Sequence, residues 1–508
     1  MIRRLALALM MGLILASAIS PAFGDHLTFR GDAQRTGNVS GDGPAAPLLL
    51  WKEKVTAKGY VGGSASISGE RVYVSSWPDM SYQGEQALGC LDARDGSVLW
   101  RNPLGGKGGA STPAVSRGLV FAGSWYGDLY CLDAETGETV WNRTVERDPQ
   151  WWGVASSPLV IGELVFVSTF SDGTLHVLDL EGDELWNIST GKIDPYTSPA
   201  AEEGRVYFAG GDPALYCFDT SSFEILWRAP TNGPITTTPG IGGGRAYFAT
   251  REDLRALDAS TGEEVWVAPL KGTTSSPAIS SGRVYIGTDD GHLACLNASD
   301  GSLIWSAEVD SSVRSSPLVA GDRVYLGSHR GVVYALNRSD GSEIWRYETG
   351  AYLMSSPSFS DGVLYIGSDD GCLYAFGEEG SKVIFEGEVL LGDGRFNAAA
   401  EEGSVRAVDE RTALGALMKA SEVGGFEITF DGSYVEDYGL LVRSIDGIEA
   451  RAGEFWIYWV NYPEEPMPSE GPDRFPLEEG DRVLFYLGDR SRSPQDSFRV
   501  EMTTGWEG

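Results

Sequence analysis

The chain has 508 residues, which is enough for more than one domain of ordinary size. Its 72 acidic residues outnumber its 39 lysines and arginines, and the formal net charge is −33. A surface this acidic repels the phosphates of nucleic acids and of anionic lipids, and no basic cluster offsets it, so neither is expected as a partner.

The first 24 residues have the composition of a secretory signal peptide. Arg3 and Arg4 precede an apolar run over residues 5–19, and Gly24 is a small residue at the expected cleavage point. The run is shorter than the roughly 20 residues that cross a bilayer, and no cysteine follows it for lipid attachment. We expect residues 1–24 to be removed and the mature protein to be secreted or at the cell surface, without a membrane span. An uncleaved anchor is the alternative.

Eight tryptophans recur over residues 51–345 at intervals of 39–49 residues. Nearly every one ends the same pattern, in which a Ser-Ser-Pro-like triplet precedes apolar strands, a Leu-Asp pair and a Gly turn. A repeat of this length with alternating apolar residues predicts a β-propeller or a β-solenoid. The eight are Trp51, Trp100, Trp141, Trp186, Trp227, Trp266, Trp305 and Trp345.

The repeat that starts at Ser111 shows the four strands of one predicted blade. The inner strand follows Pro113, the second and third strands cover residues 119–124 and 128–132, and the fourth covers 138–143. Apolar residues alternate within each run, as is typical of strands in packed sheets. An Asp-Ala-Glu-Thr-Gly turn separates the last two strands.

The number of repeats predicts a closed ring of eight four-stranded blades over residues 25–380. The copy that begins at Ser355 stops without a tryptophan strand, and the segment Leu48–Trp51 supplies such a strand at the other end of the chain. Seven blades are therefore expected to be contiguous and the eighth to be completed by the N-terminal strand. This closure hides the sheet edges that an open ring would expose.

The segment Leu132–Trp141 resembles the tryptophan-docking motif of the pyrroloquinoline-quinone (PQQ)-like repeat family. It recurs at Asp258–Trp266, Asn297–Trp305 and Asn337–Trp345, and the resemblance covers roughly residues 28–377. It implies that the eight tryptophans are structural and pack between neighbouring blades. The family includes quinoprotein alcohol dehydrogenases and also BamB-type outer-membrane assembly lipoproteins, which only bind other proteins.

The five cysteines do not suggest a disulfide framework. Four of them occupy the same position in different repeats, where other repeats carry a small apolar residue, and Cys372 is expected in a loop. Equivalent positions in different blades are not expected to lie within disulfide range. The four are Cys90, Cys131, Cys217 and Cys295.

A second domain is expected over residues 381–508, because the repeat stops near Ser381. Arg411–Ser421 is the predicted helix, with Leu414, Leu417 and Met418 on one face. Strands are predicted at 382–391, 426–430, 439–445, 455–462, 482–487 and 498–502. This is an α+β unit large enough for its own core.

This second domain also resembles a known family. Thr412-Ala413-Leu414 at the start of the helix, Trp456–Asn461 and Leu477–Val483 together look like the transcobalamin-like C-terminal domain of many exported prokaryotic proteins. The resemblance implies a β-grasp-like fold. In transcobalamins the domain closes over cobalamin together with a helical domain that this sequence does not contain, so a corrinoid-like ligand is an alternative rather than the main expectation.

A quinone-dependent dehydrogenase would need PQQ, a calcium ion held by oxygen ligands and an aspartate base. The chain has no adjacent cysteines and no haem-attachment motif, and its four histidines lack motif context. The pairs Asp289-Asp290 and Asp369-Asp370 supply carboxylates, but each precedes a glycine, and turn chemistry explains them. We therefore expect no catalytic, metal or cofactor-binding residue, with PQQ and calcium as the alternative.

Binding is expected at one face of the ring, where the loops between blades meet the loops between second and third strands. We call this the loop face. Its loops vary in sequence, and variable loops on a rigid scaffold are where binding usually resides. The candidate residues are Trp77, Tyr82, Trp125, Tyr126, Trp151, Trp152, Tyr196, Arg251, Arg314, His329, Arg330 and Tyr352.

The sequence thus favours an exported binding or scaffold protein that is not an enzyme and that contacts a protein or glycan at the cell envelope. Aromatic and arginine side chains are typical of such contacts. Packing of these aromatic residues inside the ring or against the second domain is the alternative to binding. The alternative functions are a PQQ-dependent dehydrogenase and a small-molecule, corrinoid-like receptor that uses the C-terminal domain.

Overall fold

The computed structural model describes residues 26–77, 87–106, 109, 111–146, 153–154, 156–194, 197–377, 383–391, 394–399, 405–424, 428–431, 441–445, 448–449, 455–461, 472, 475–488 and 499–506. The chain divides into two compact units, Met1–Gly377 and Glu378–Gly508. Among the described residues, no helix is long and apolar enough to cross a membrane.

The described part of the first unit consists of eight antiparallel sheets with four strands each, which we number in chain order. Sheets 1 to 4 contain Ser66–Ser68, Arg71–Ser75, Leu88–Asp92, Val98–Asn102; Ala114–Ser116, Leu119–Gly123, Asp128–Asp133, Thr139–Thr144; Leu159–Ile161, Leu164–Ser168, Thr174–Asp179, Glu184–Ser189; and Ala200–Glu202, Arg205–Gly210, Ala214–Asp219, Glu224–Pro230. Sheets 5 to 8 contain Gly240–Gly242, Arg245–Ala249, Asp253–Asp258, Glu264–Pro269; Ala278–Ser280, Arg283–Gly287, His292–Asn297, Leu303–Glu308; Leu318–Ala320, Arg323–Gly327, Val332–Asn337, Glu343–Glu348; and Ser358–Ser360, Val363–Gly367, Cys372–Gly377, Leu48–Lys54. A short strand, Asn38–Val39, adds to the first strand of sheet 7, and a 3-10 turn covers Leu104–Gly106.

The two ends of the first unit meet in sheet 8. Its fourth strand comes from residues 48–54, and Leu48 lies opposite Gly377 in the ladder. The Lys52 ammonium lies 2.9 Å from a carboxylate oxygen of Asp370 and also donates to the hydroxyl of Tyr374. The sequence predicted that this N-terminal strand completes sheet 8, because the repeat that begins at Ser355 ends without a tryptophan strand of its own.

The eight sheets are joined into a closed ring by one repeated hydrogen bond. At the start of each first strand, a backbone N–H donates to the hydroxyl of the equivalent serine or threonine in the next sheet, at 2.9–3.2 Å. The eighth bond, from Ser356 to Ser64, returns to sheet 1. The Ser-Ser-Pro-like triplets of the sequence therefore hold neighbouring sheets together in a β-propeller. The residues, in order, are Ser64, Thr112, Ser157, Ser198, Thr238, Ser276, Ser316 and Ser356.

The repeated tryptophans also join neighbouring sheets. Seven indole N–H groups donate to a backbone carbonyl of the following sheet or of the segment that completes it, at 2.7–3.3 Å. The last of these, from Trp345, reaches the carbonyl of Pro44. In sheet 8 the N-terminal segment occupies the place that the turn between the third and fourth strands has in the other sheets. The eighth tryptophan, Trp186, packs on Phe218 with ring centroids 4.6 Å apart.

The turn glycine of the repeat has a packing role besides its backbone role. Gly301 has a positive φ of 72°, and a Cβ added to it would lie 2.6 Å from the Trp266 ring of the preceding sheet. The tryptophan therefore lies directly on the glycine backbone. The same contact, at 2.4–2.8 Å, recurs between Gly96 and Trp51, Gly137 and Trp100, Gly182 and Trp141, Gly262 and Trp227, and Gly341 and Trp305.

All five cysteines are buried free thiols. Burial raises the pKa of Cys131 and of Cys217 to about 12. The expectation that Cys372 lies in a loop is wrong, because it is the first residue of the third strand of sheet 8. The Asp-Asp-Gly turn before it is tight, so the strand begins directly after Gly371 and takes in Cys372.

The second unit contains one helix among its described residues, α1, at Ala413–Gly424. It starts two residues later than predicted because the Thr412 hydroxyl accepts the Gly415 N–H at 3.1 Å and so caps the helix. Buried Leu414 and Leu417 pack in one apolar core with Val389 and Met502.

The strands of the second unit form three sheets in the part of the chain that is described. The largest pairs Val383–Leu391 in parallel with Arg499–Trp506, and Arg482–Gly488 and Phe455–Val460 follow in antiparallel order. Arg395–Ala399 pairs with Val405–Asp409, and Leu441–Ile445 pairs with both Ile428–Asp431 and Ile448–Glu449. The hairpin over 395–409 was not predicted.

We predict that Gly301→Ala destabilises the ring more than Gly282→Ala does. Both glycines have φ near +72°, so both substitutions strain the backbone by about 1–2 kcal/mol. Only Gly301 faces a tryptophan ring, and a Cβ at Gly282 would meet nothing within 4 Å. Urea unfolding should show an extra loss of about 1–3 kcal/mol for Gly301→Ala, the usual cost of overpacking. Equal losses would contradict a packing role for this glycine.

Candidate functional site

The loops of the candidate binding face are tied to one another by backbone hydrogen bonds. In sheet 7, the N–H of His329 donates to the carbonyl of Ser312 in the preceding connection, at 2.9 Å. In sheet 8, the N–H of Asp369 donates in the same way to the carbonyl of Tyr352, at 2.9 Å. In these two sheets, the loop between the second and third strands is thus fixed against the connection that enters the sheet, which gives its side chains a rigid base.

His329 and Tyr352 form an exposed aromatic pair on this face. Their rings are stacked, with centroids 4.3 Å apart and an interplanar angle of 14°. Tyr352 retains 54% of its accessible surface. The pair forms a flat aromatic surface that is open to solvent, at the junction of sheets 7 and 8.

Charged side chains surround this pair. The Nε atom of Arg314 lies 3.9 Å from a carboxylate oxygen of Asp289, and both side chains are more than 40% exposed. Partial burial and then the charge of Arg314 lower the pKa of His329, while Asp289 opposes the shift. Arg330 is exposed, and its backbone N–H donates to the Ser311 hydroxyl at 2.9 Å.

A second aromatic pair lies between sheets 1 and 2. Trp77 and Trp125 meet edge to face, with ring centroids 5.7 Å apart. Both are half-buried, and a Cβ on Gly62 would lie 3.0 Å from the Trp77 ring. Tyr126, next to Trp125, is 54% exposed. Packing therefore accounts for most of the Trp77 and Trp125 surface, and Tyr126 is the accessible ring at this position.

The structure thus brings the candidate residues together in two groups, one at sheets 1 and 2 and one at sheets 7 and 8. Arg251 is exposed in the corresponding loop of sheet 5. Four candidates lie outside the described residues, namely Tyr82, Trp151, Trp152 and Tyr196.

Two of the four candidate calcium carboxylates, Asp290 and Asp370, have other partners. A carboxylate oxygen of Asp290 lies 3.0 Å from the Lys271 ammonium, and the Thr288 hydroxyl donates to the other at 2.6 Å. Asp370 accepts from Lys52 and from the Tyr374 hydroxyl. These donor sets do not fit a calcium site. Among the described residues there is also no group of three or more His, Cys, Asp or Glu that could hold a metal ion.

Sequence reasoning did not single out Asp369 as an unusual carboxyl. Burial, together with the charge of Asp370, raises the pKa of Asp369 to about 7. The Asp-Asp-Gly motif indicated a turn, and nothing in it distinguishes a buried carboxyl from an exposed one.

Comparison with known proteins places the chain in a family. The family model described as outer membrane protein assembly factor BamB matches residues 84–195, 171–267 and 250–413, which is more than half of the chain. The chain belongs to this family. The PQQ-like repeat resemblance of the sequence is confirmed at this level.

Individual relatives agree with the family assignment. The chain is 25% identical over 265 residues to outer membrane protein assembly factor BamB of Yersinia pestis, in a match that covers 50% of this chain and 65% of that protein. The match thus spans less than two thirds of the relative's own length.

Two solved structures share the fold. BamB from Moraxella catarrhalis superposes with a TM-score of 0.51 at 22% identity, over 64% of this chain and 97% of that one. The quinohemoprotein alcohol dehydrogenase from Comamonas testosteroni superposes with a TM-score of 0.60 at 16% identity, over 76% of this chain and 86% of that one. An outer membrane protein assembly factor and an alcohol dehydrogenase thus share this architecture, so the fold alone does not select a function.

We predict that Arg314→Gln raises the pKa of His329, because the substitution removes the nearby positive charge and leaves Asp289 in place. The lowered pKa of the folded state means that the unfolded chain binds the proton first. Stability is therefore lost as the pH falls below the ordinary histidine pKa of about 6.5, and Arg314→Gln should reduce that loss. NMR titration of the His329 ring checks the shift, and Arg251→Gln is the control that should leave it unchanged.

Proposed function

We propose that the chain is an exported, non-enzymatic scaffold protein of the cell envelope, built on an eight-bladed propeller that binds a protein partner on its loop face. The observation that carries this proposal is the exposed His329–Tyr352 stack, flanked by Arg314 and Arg330 on loops that are hydrogen-bonded to one another. Membership of a family described as an outer membrane protein assembly factor supports it.

The chemistry of this surface suits a protein partner. Interface hot spots are enriched in tyrosine and arginine, which combine apolar area with hydrogen-bonding capacity. Tyr352 is more than half exposed on an anchored loop, so its side chain loses little freedom on binding. Arg314 and Arg330 would supply the polar contacts around it.

The same proposal gives roles to the first 24 residues and to the second unit. Residues 1–24 would direct export, and the second unit, taken as a transcobalamin-like module with a β-grasp-like fold, would be an accessory domain. The BamB relatives, named for outer membrane protein assembly, support a location outside the cytoplasm. The proposal includes no cofactor.

The proposal is tested with a photo-crosslinking amino acid at position 352 in cells. Position 303 serves as the matched control, because Leu303 is 62% exposed on the outer strand of sheet 6, away from the loop face. We expect position 352 to trap one envelope protein and position 303 not to trap it. With that partner purified, Tyr352→Ala should weaken binding at least about tenfold, as for an interface hot spot, and Leu303→Ala should not.

Two results would contradict the proposal. One is equal crosslinking from both positions, which would mean that the loop face has no preferred partner. The other is reduction of an acceptor dye by alcohols or sugars that depends on added PQQ and calcium, which would establish the quinone-dependent dehydrogenase.

A further inference from the structure

Residues 26–41, which we call the axial segment, run along the first strands of all eight sheets. His26 pairs with Ile67 of sheet 1 and bonds the backbone of Phe359 of sheet 8. Between these two sheets, the segment bonds each remaining sheet once or more. The contacts are Leu27 with Val115, Thr28 with Pro158, Ala33 with Ala201, Gln34 with Ile241, Thr36 with Ile279 and Gly37 with Val319.

Arg35 is the most completely bound side chain of this segment. It is fully buried, with 0% exposure, and all five of its guanidinium N–H groups donate. Three bonds reach the wall of the ring, at the carbonyls of Ser157 and Pro158 in sheet 3 and of Pro199 in sheet 4. The other two stay within the segment, at Thr28 and at Phe29.

Arg30 makes the equivalent contact with the opposite side of the ring. It is 2% exposed and donates to the carbonyls of Pro317 in sheet 7 at 2.5 Å and of Pro277 in sheet 6 at 3.0 Å. Its guanidinium packs against the backbone of Gly37, where an added Cβ would lie 2.0 Å from an Nη atom. The two arginines thus bind four sheets through the carbonyls of their Ser-Ser-Pro-like triplets.

These contacts are those of a peptide ligand in a receptor. A buried guanidinium is costly unless its donors are satisfied. The wall supplies three backbone-carbonyl bonds to Arg35 and two to Arg30, whose Nε atom has no hydrogen-bond partner among the described residues. The single carboxylate of the segment, Asp32, accepts from the N–H and hydroxyl of Thr36, so it stabilises the bend of the segment itself.

We propose that the first strands of the eight sheets form a binding channel for a peptide that is folded through tight turns and has two arginines five residues apart, and that the axial segment of the same chain is its resident ligand. The side chains of the segment would keep it bound in the channel even without its covalent connection to the strand at Leu48. This proposal does not depend on the function of the loop face. It implies that partners are excluded from the axis along this segment.

The test uses the full chain with a protease site inserted between Ala45 and Ala46, which are exposed and precede the strand at Leu48. After cleavage, the fragment that contains the axial segment should stay bound during size-exclusion chromatography and be displaced only when an excess of competing peptide is added. A labelled synthetic peptide of residues 26–45 should then exchange into the nicked protein.

Peptide variants distinguish recognition from tethering. Arg35→Lys keeps the charge but has three donors in place of five, so it should bind at least about tenfold more weakly than the native peptide. Arg30→Gln should also weaken binding. Asn38→Gln is the matched control, because Asn38 is exposed in the same segment, and this peptide should bind like the native one.

The proposal fails if cleavage alone releases the segment from a ring that stays folded. It also fails if the Arg35→Lys and native peptides compete equally. Both measurements use the native ring, so neither depends on whether an arginine variant of the full chain can fold.

Discussion

The structure depends on closure of the ring, and one hydrogen bond repeated eight times accomplishes it. Each sheet has its N–H bound by a hydroxyl of the next, and the bond from Ser356 to Ser64 returns to the start. A four-stranded sheet on its own would expose apolar residues on both faces to water, so each sheet of the ring is stabilised by packing on its two neighbours. Closure also has to be completed across the ends of the unit, which explains why Lys52 pairs with Asp370 over a separation of more than 300 residues.

The inner strands and the loops of the closed ring have different roles. The inner strands present carbonyls towards the axis, and the buried guanidinium groups of Arg30 and Arg35 satisfy them. Among the described residues, the tips of the loops on the loop face make none of the eight closing bonds. They can therefore carry side chains such as Tyr352 and Arg314 at little cost to the fold, which is the usual arrangement of a binding site on a rigid scaffold.

The sequence predicted the candidate site as a set of residues, and the structure showed which of them are packed and which are exposed. The sequence placed Trp125 and Tyr126 together with His329 and Tyr352 because all lie in variable loops. It did not distinguish the largely packed Trp125 from the exposed Tyr352, because burial depends on the neighbouring loops. The arginines of the axial segment had no local signal for their contacts with the ring, since their partners on the first strands lie 122 to 287 residues away in the chain.

The sequence by itself determined the repeat, the four strands within one repeat and the strand that completes sheet 8. These features rest on local patterns, namely alternation, turn glycines and the spacing of tryptophans, which are readable without tertiary contacts. In the second unit the helix was recognised, but Thr412 set its start through a capping bond that the apolar pattern does not encode. Only the tertiary structure decided which polar groups meet at the axis. The pairing of these groups depends on the positions of eight separate first strands around the axis, and no single segment of the chain specifies those positions.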